Sequence, residues 1–344
     1  MSTVAIADAR ADALSRWLAG SLRVPVGSIA PASADASFRR YFRVTLSGAW
    51  RASGSATTLI AMDAPPSKED CRPFVHVAHL LSQARVHVPR ILATDLARGF
   101  LLMSDLGVQT YASVLGADSA PRLYADALDA LVSMQRLRCE DELPAYDDAL
   151  LRRELRLFPD WYVARHLACT LTPAESASLD AVFERVLANN LAQPRVFVHR
   201  DYHSRNLMLA TPNPGILDFQ DAVYGPITYD LVSLLRDAYV EWDEQCQLDW
   251  AIRYWERARD ARLPVDADFA AFFRDFEWMG VQRQLKVLGI FARLNARDGK
   301  AGYVDNMPLV MRYLRRACAR YRELDPLLSL LDRLDTCDPR AVAS

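Results

Sequence analysis

Residues 199–206 read HRDYHSRN, and residues 216–231 read ILDFQDAVYGPITYDL. Around the first stretch the character of the chain changes abruptly: RVFV (195–198) is apolar, the residues after it are polar or charged, and LM (207–208) is apolar again. A Pro/Asn/Gly turn over 212–215 then leads into a further apolar run that ends at Asp218. This pattern predicts strand, loop, short strand, turn and strand, an island inside a region otherwise patterned for helices. Strands at both ends pin the loop, which places Asp201 and Asn206 five residues apart, with Asp218 ending the third strand. An aspartate that accepts a hydroxyl proton, beside an Asn and an Asp that offer oxygen to a hard cation, is what phosphoryl transfer from a magnesium nucleotide requires. The cation offsets charge between donor phosphates and nucleophile, and Asp201 orients the attacking hydroxyl.

Outward from this island, the chain beyond Gly107 is patterned for helices near 119–138, 148–167, 173–191, 228–260, 266–297 and 307–322; Thr172 followed by Pro173 is one of the clear helix starts. Toward the N-terminus, ADARADALSRWLAG (7–20) predicts a short helix closed by Gly20. After it the period shortens. YFRVTLS (41–47), TTLIAMDA (57–64), PRILATDL (89–96) and GFLLMSDL (99–106) predict strands, and KEDCRPFVHVAHLLSQA (68–84) predicts one main helix. The expected architecture is α+β, with a small β-rich part over 1–106 and a larger, mainly helical part over 107–344. The boundary is expected at the DLG of 105–107.

Composition supports an ordinary globular protein. The chain has 344 residues, 51% hydrophobic and 24% charged, and 41 Lys+Arg against 43 Asp+Glu leave a formal charge of -2. Enough apolar material is present for a sizeable core, which excludes disordered, collagen-like and disulfide-scaffold classes. The balance lacks the basic excess that phosphate-backbone binding requires, so no nucleic-acid partner is expected. Six scattered cysteines, with no C-x-x-C pair and no zinc-ligand spacing, are expected to be reduced thiols. No apolar run reaches the roughly 18 residues of a membrane helix, and charges stand where a secretory signal needs an apolar centre. A cytoplasmic monomer with no membrane association is the expectation.

HRDYHSRN followed by ILDFQDAVYGPITYDL resembles the H-x-D-x-x-x-x-N and D-F signatures of the aminoglycoside phosphotransferase and choline kinase group, which shares the protein-kinase-like fold. The resemblance implies a bilobal molecule, with a small β-rich N-lobe and a larger, mainly helical C-lobe, that uses ATP and Mg2+. It implies Asp201 as the catalytic base and Asn206 and Asp218 as metal ligands. His199 and His203 would support the loop, and Asp230 would tie it to the following helix. Asp221 is assigned to the substrate, with metal assistance or a solvated turn as alternatives.

In the N-lobe, PASADASFRRYFRV (31–44) stands where such kinases cover the phosphates; it has no glycine, but Ser33, Ala34, Ala36 and Ser37 are small enough for backbone N–H groups to approach. GFLLMSDLG (99–107) matches the hinge between lobes, with backbone around Met103 to Asp105 at the adenine. The strand TTLIAMDAPP carries Met62 and Asp63 where the group usually has a phosphate-binding lysine. Arg39, Arg40, Arg43 and Lys68 are the possible replacements. Strand alternation puts Arg39, Tyr41 and Arg43 on one face and Arg40 and Phe42 on the other. The expected nucleotide group is Ser33, Ser37, Arg43, Met103 and Asp105.

DASFRRYFR (35–43), MDAPPSKEDCRPFV (62–75) and ELRLFPDWYV (154–163), together with the two large-lobe motifs, resemble one branch of that group over roughly residues 10–325. This branch holds the anomeric kinases that phosphorylate N-acetylmuramate and N-acetylglucosamine at C1 in peptidoglycan recycling. A hemiacetal hydroxyl is more acidic than an ordinary alcohol, so an aspartate base is adequate for it. Arg152, Arg153, Glu154 and Arg156 precede Trp161 and Tyr162, an amphipathic platform suited to a sugar, while Arg283, Lys286 and Arg293 recur on a later helix with reach to a lactyl carboxylate. Glu154, Trp161, Asp221 and Arg283 are accordingly the substrate candidates. Two alternatives stand beside this reading: a kinase of the same fold acting on an antibiotic, a choline-like compound or another small alcohol, and a degenerate nucleotide-binding regulator. Met62 favours the regulator, and the intact trio Asp201, Asn206 and Asp218 opposes it. A protein kinase is disfavoured because no long activation segment follows Asp218.

Overall fold

The computed structural model describes residues 9–22, 26–34, 38–50 and 56–337. In its first helix, α1 (Ala9–Ser21), Leu14 and Leu18 are four residues apart and therefore share a face. That face is buried with Leu22 against Val44, Leu46, Leu59, Ala61, Phe100 and Leu102. These strand residues alternate, as one face of a pleated sheet must. The sheet has five antiparallel strands, β1 (Val26–Ala34), β2 (Arg40–Trp50), β3 (Ala56–Asp63), β4 (Ile91–Asp95) and β5 (Phe100–Ser104), in the order β1-β2-β3-β5-β4. Its register places Tyr41 opposite Met62 and Met62 opposite Leu101. Between β3 and β4, α2 (Arg72–Gln83) buries Phe74, Val77, Ala78 and Leu81 at helical spacing. Gly20 lies inside α1 instead of closing it. The Leu22 N–H bonds to the Leu18 carbonyl at 2.9 Å, because burial of Leu22 carries the helical path past the glycine.

The chain forms two compact units, residues 1–109 with 208–221, and residues 110–207 with 222–344. The return of 208–221 to the first unit has a local cause. The Leu209 N–H bonds the Gln109 carbonyl and the Ile216 N–H bonds the His87 carbonyl, both at 2.8 Å, and the His87 ring meets the Pro212 carbonyl at 2.5 Å.

The second unit is built mainly of helices: α3 (Tyr111–Val114), α4 (Ala120–Gln135), α5 (Asp148–Leu157), α6 (Pro173–Ala192), α7 (Tyr229–Leu235), α8 (Glu244–Asp260), α9 (Phe269–Asp298), α10 (Met307–Cys318) and α11 (Asp325–Asp335). Among them run β6 (Arg195–Val198) and β9 (Val223–Pro226), which pair with each other; β7 (Leu207–Met208) pairs with β8 (Gly215–Ile216), which belongs to the first unit. Thr172 caps α6 with a reciprocal bond to Glu175, the expected start.

Three stretches depart from the sequence reading. The helix expected over 148–167 widens to a π-helix at Phe158–His166, where Pro159 has no N–H to return to the Leu155 carbonyl. The helix expected over 228–260 breaks between α7 and α8, because the Asp237 carboxylate turns to the backbone N–H groups of Ser204 and Tyr239, each at 2.9 Å. Asp243 restarts the helix by accepting from the Cys246 N–H at 2.7 Å. A further helix, α11, follows the last expected one and buries Leu327, Leu330, Leu331 and Leu334.

α9 is the longest element, 30 residues, and is buried on all sides from Phe276 to Gly289. It packs on α5, α6, α7, α10 and the π-helix. All six cysteines are thiols, and no helix among the described residues is long and apolar enough to cross a membrane.

Candidate active site

The loop after β6 is held by its own backbone and by one buried carboxylate. Asp230, at the start of α7, accepts from the His199 N–H at 2.6 Å and the Arg200 N–H at 2.9 Å. Arg200 adopts φ +76°, a left-handed conformation that costs a non-glycine residue about 1–2 kcal/mol and that these two bonds help to offset. The Asp201 N–H donates to Nδ1 of the fully buried His199 at 3.2 Å. That nitrogen is therefore an acceptor in this bond. The Asp201 carbonyl accepts from the His203 N–H at 3.1 Å and from Asn206 Nδ2 at 2.9 Å, which fixes which end of the Asn206 amide is oxygen. From outside the loop, Tyr202 donates its hydroxyl to the Ala127 carbonyl at 2.8 Å, and Asp237 takes the Ser204 N–H. None of these bonds uses the Asp201 carboxylate.

Positive charge surrounds that carboxylate. Burial alone would raise Asp201, but Lys286, His203 and Arg283 together outweigh it and hold the carboxyl below its ordinary range. Lys286, on α9, donates to the Tyr229 hydroxyl at 2.8 Å and pairs with Glu154 at 3.2 Å. Glu154 also accepts from Arg200 and from the Tyr146 hydroxyl. It is buried among these partners, so it faces protein and not an open platform. Burial raises Glu154 and lowers Lys286, yet their attraction wins at both: the acid sits below its usual range and the amine above. His203 packs edge-on against Tyr239 with ring centroids 5.4 Å apart. Burial pushes its imidazole down despite Asp237 and Asp201. Trp161 lies half-buried on the π-helix, and Arg283 is buried on α9.

The first unit holds the remaining expected residues. Asp218 stands at φ +62°, accepts from Gln220 Nε2 at 2.9 Å and faces Arg39 at 3.8 Å. Gln220 also reaches the exposed Asp221 at 3.2 Å, and Phe219 packs on Phe74 with ring centroids 4.7 Å apart. Arg43 donates to the Asp105 carboxylate at 2.6 Å and the Gly107 carbonyl at 2.8 Å. Its guanidinium is therefore taken up by Asp105 and Gly107 instead of standing open to phosphate as expected. Burial would raise Asp105, but Arg43 and the Gly107 N–H hold it below its usual range. Met103 is buried. Ser37 lies outside the described residues, as does the side chain of Ser33. Asp63 is fully buried and binds both Arg10 and Arg40, while the exposed Lys68 places its ammonium 5.5 Å above the Phe38 ring.

Asp201, Asn206, His199, His203 and Asp230 thus gather in the second unit, with Arg283 and Glu154 acting on the loop through charge. The roles of Asp237 and Tyr146 escaped the sequence reading. Asp237 follows a helical run and Tyr146 a loop, and only the folded contacts reveal either.

A model described as the phosphotransferase enzyme family matches residues 28–264. The N-acetylmuramate/N-acetylglucosamine kinase of Pseudomonas putida is 50% identical over 337 residues, covering 95% of this chain and 97% of that protein. The N-acetylmuramate/N-acetylglucosamine kinase of Pseudomonas aeruginosa is 51% identical, again over 95% of this chain and 97% of its own. Among solved structures, the GDP complex of wild-type aminoglycoside 2'-phosphotransferase-IIIa superposes with a TM-score of 0.61 at 14% identity, covering 90% of this chain and 99% of that one. That similarity is one of fold.

Proposed function

The chain belongs to the phosphotransferase enzyme family, and from that premise we propose that it is a cytoplasmic sugar 1-kinase of cell-wall recycling. It transfers the γ-phosphoryl group of ATP to the anomeric C1 hydroxyl of N-acetylmuramate and N-acetylglucosamine. The observation that carries this reading is the Asp201 carboxylate, left out of its loop's own hydrogen bonds and held below its ordinary range against burial, chiefly by Lys286. A depressed carboxylate is a weak base, which suits the relatively acidic hydroxyl of a hemiacetal. Two relatives of about half-identical sequence, matched over nearly their whole length, carry both sugars in their names.

We assign Asn206 and Asp218 to magnesium by their type and order along the chain. Magnesium keeps several waters and substrate phosphates in its shell, so one carboxylate and one amide oxygen are enough protein ligands for it. When bound, it would neutralise charge on the donor phosphates. Arg39 is the cation we assign to those phosphates in place of the usual lysine, because it stands 3.8 Å from Asp218, the carboxylate we assign to the metal.

The test is ATP-dependent phosphorylation of N-acetylmuramate, N-acetylglucosamine, glucose, choline and kanamycin, with the phosphorylated position read by phosphorus NMR. Phosphate on C1 of the two N-acetyl sugars is expected. Reaction of only another alcohol would overturn the substrate reading. In the same assay Asp201→Asn is expected to lower kcat by about 10²- to 10⁴-fold while nucleotide binding survives.

A further inference from the structure

Arg283 sits on α9 three residues before Lys286, so the two project from one face of the helix. It is only 3% exposed, and its Nε and Nη1 are buried without a hydrogen-bond partner among the described residues. Its neighbours each have a carboxylate: Lys286 holds Glu154 as well as Tyr229, and Arg236, whose Nε and Nη1 are likewise unmatched, holds Glu277 through Nη2. A buried guanidinium with unmatched donors is costly, and an apolar side chain of similar volume would fill the space at less cost. Its charge acts on Asp201, His203, Asp230 and Tyr239. Arg283 therefore lies beside the group that receives the acceptor hydroxyl, where the acceptor's own substituents must come.

Resting on the sugar-kinase reading, we propose that Arg283 receives the carboxylate of the 3-O-lactyl group of N-acetylmuramate and so sets the preference between that sugar and N-acetylglucosamine. The two acceptors differ at this one position, an acidic ether in the first and a neutral hydroxyl in the second. A guanidinium is a planar, weakly hydrated cation whose donors match a carboxylate in geometry and sign. With N-acetylglucosamine, water takes the place of the carboxylate, so one site accepts both sugars with different affinity. Lys286 is unsuited to this role because its ammonium is already spent on Glu154 and Tyr229.

The experiment compares kcat/KM for the two sugars in the unaltered enzyme, Arg283→Met and Arg283→Lys, and adds the methyl ester of N-acetylmuramate as a third acceptor. In Arg283→Met the ratio of N-acetylmuramate to N-acetylglucosamine kcat/KM is expected to fall about tenfold to a hundredfold, with a smaller fall in Arg283→Lys. The ester is expected to lose a comparable factor on the unaltered enzyme, which decides the matter even if Arg283→Met fails to fold. An unchanged ratio overturns the proposal, because it places Arg283 on the transferred phosphoryl group or in a purely structural role. An ester as good as the free acid overturns it too. If the unaltered enzyme phosphorylates neither sugar, the functional reading falls and this inference with it. If it phosphorylates both while the ratio and the ester show no discrimination, the inference alone falls.

Discussion

Asp63 ends β3 fully buried and draws Arg10 of α1 and Arg40 of β2 onto its carboxylate. Strand alternation decides what remains. Arg40 shares its face of β2 with Phe42, Val44 and Leu46, which pack on the α1 side, while Arg39 and Arg43 project from the other. Arg43 is held by Asp105 and Gly107, and Arg39 faces Asp218. The sequence reading named Arg39, Arg40, Arg43 and Lys68, put Arg43 in the nucleotide group and did not single out Arg10, because the pairing depends on carboxylates that only the fold brings near. Arg39→Ala is expected to weaken binding of magnesium ADP by about tenfold or more, the value of a charge-assisted phosphate contact. Arg40→Ala should instead lower the melting temperature, since it leaves the buried Asp63 with one fewer counter-charge. Calorimetric titration and thermal melting of both variants check the assignment; a nucleotide defect in Arg40→Ala with none in Arg39→Ala would reverse it.

At the scale of a helix, glycine has opposite meanings in α1 and α9. A Cβ on Gly289 would lie 2.4 Å from the Leu157 carbonyl group, so α9 approaches the end of α5 as closely as it does only because that side chain is missing. Gly20 has nothing within 4 Å of where its Cβ would stand. Gly289→Ala is expected to destabilise by about 1–3 kcal/mol through overpacking, outweighing the roughly 1 kcal/mol that alanine gains in helix propensity. Gly20→Ala should stabilise by about 0.5–1 kcal/mol, with the propensity term unopposed. Urea denaturation of the two variants tests both signs. The same contrast explains which elements could be read beforehand. α4, α6 and α10 carry their own apolar stripe, and α6 its own cap, so their existence followed from the local sequence. The break between α7 and α8 did not, because Asp237 leaves the helix to bind the backbone N–H of Ser204, far away in sequence. The loop of Asp201 was legible for the opposite reason: its polar run stands between apolar strands, and its candidate residues are concentrated in a few consecutive positions.

Across the whole chain a formal charge of -2 says little about the charges that matter, because Glu154, Lys286 and Arg200 are set together inside the helical unit. Composition showed that a core was affordable; it gave no sign that part of that core would be ionic, since Glu154 and Lys286 lie far apart in sequence on patterned helices. Their shifts set the pH range over which the cluster supports the fold. Glu154 is lowered in the folded state, so its contribution is complete above its unfolded value of about 4.3 and is lost as pH falls through the lower folded value. Lys286 is raised, so its contribution is complete below about 10.4 and is lost as pH rises through the higher folded value. Glu154→Gln strands two cations, and near neutrality it is expected to cost about 3 kcal/mol or more. Measured as urea midpoints from acid to neutral pH, the gap between the unaltered protein and Glu154→Gln should be constant above about pH 5 and narrow below about pH 4, where the unfolded chain takes up a proton at Glu154 that the native carboxylate still refuses. A gap that held or widened on acidification would mean that Glu154 is already protonated in the native protein. Lys286 and Arg200 would then lack the counter-charge that holds them beside Asp201.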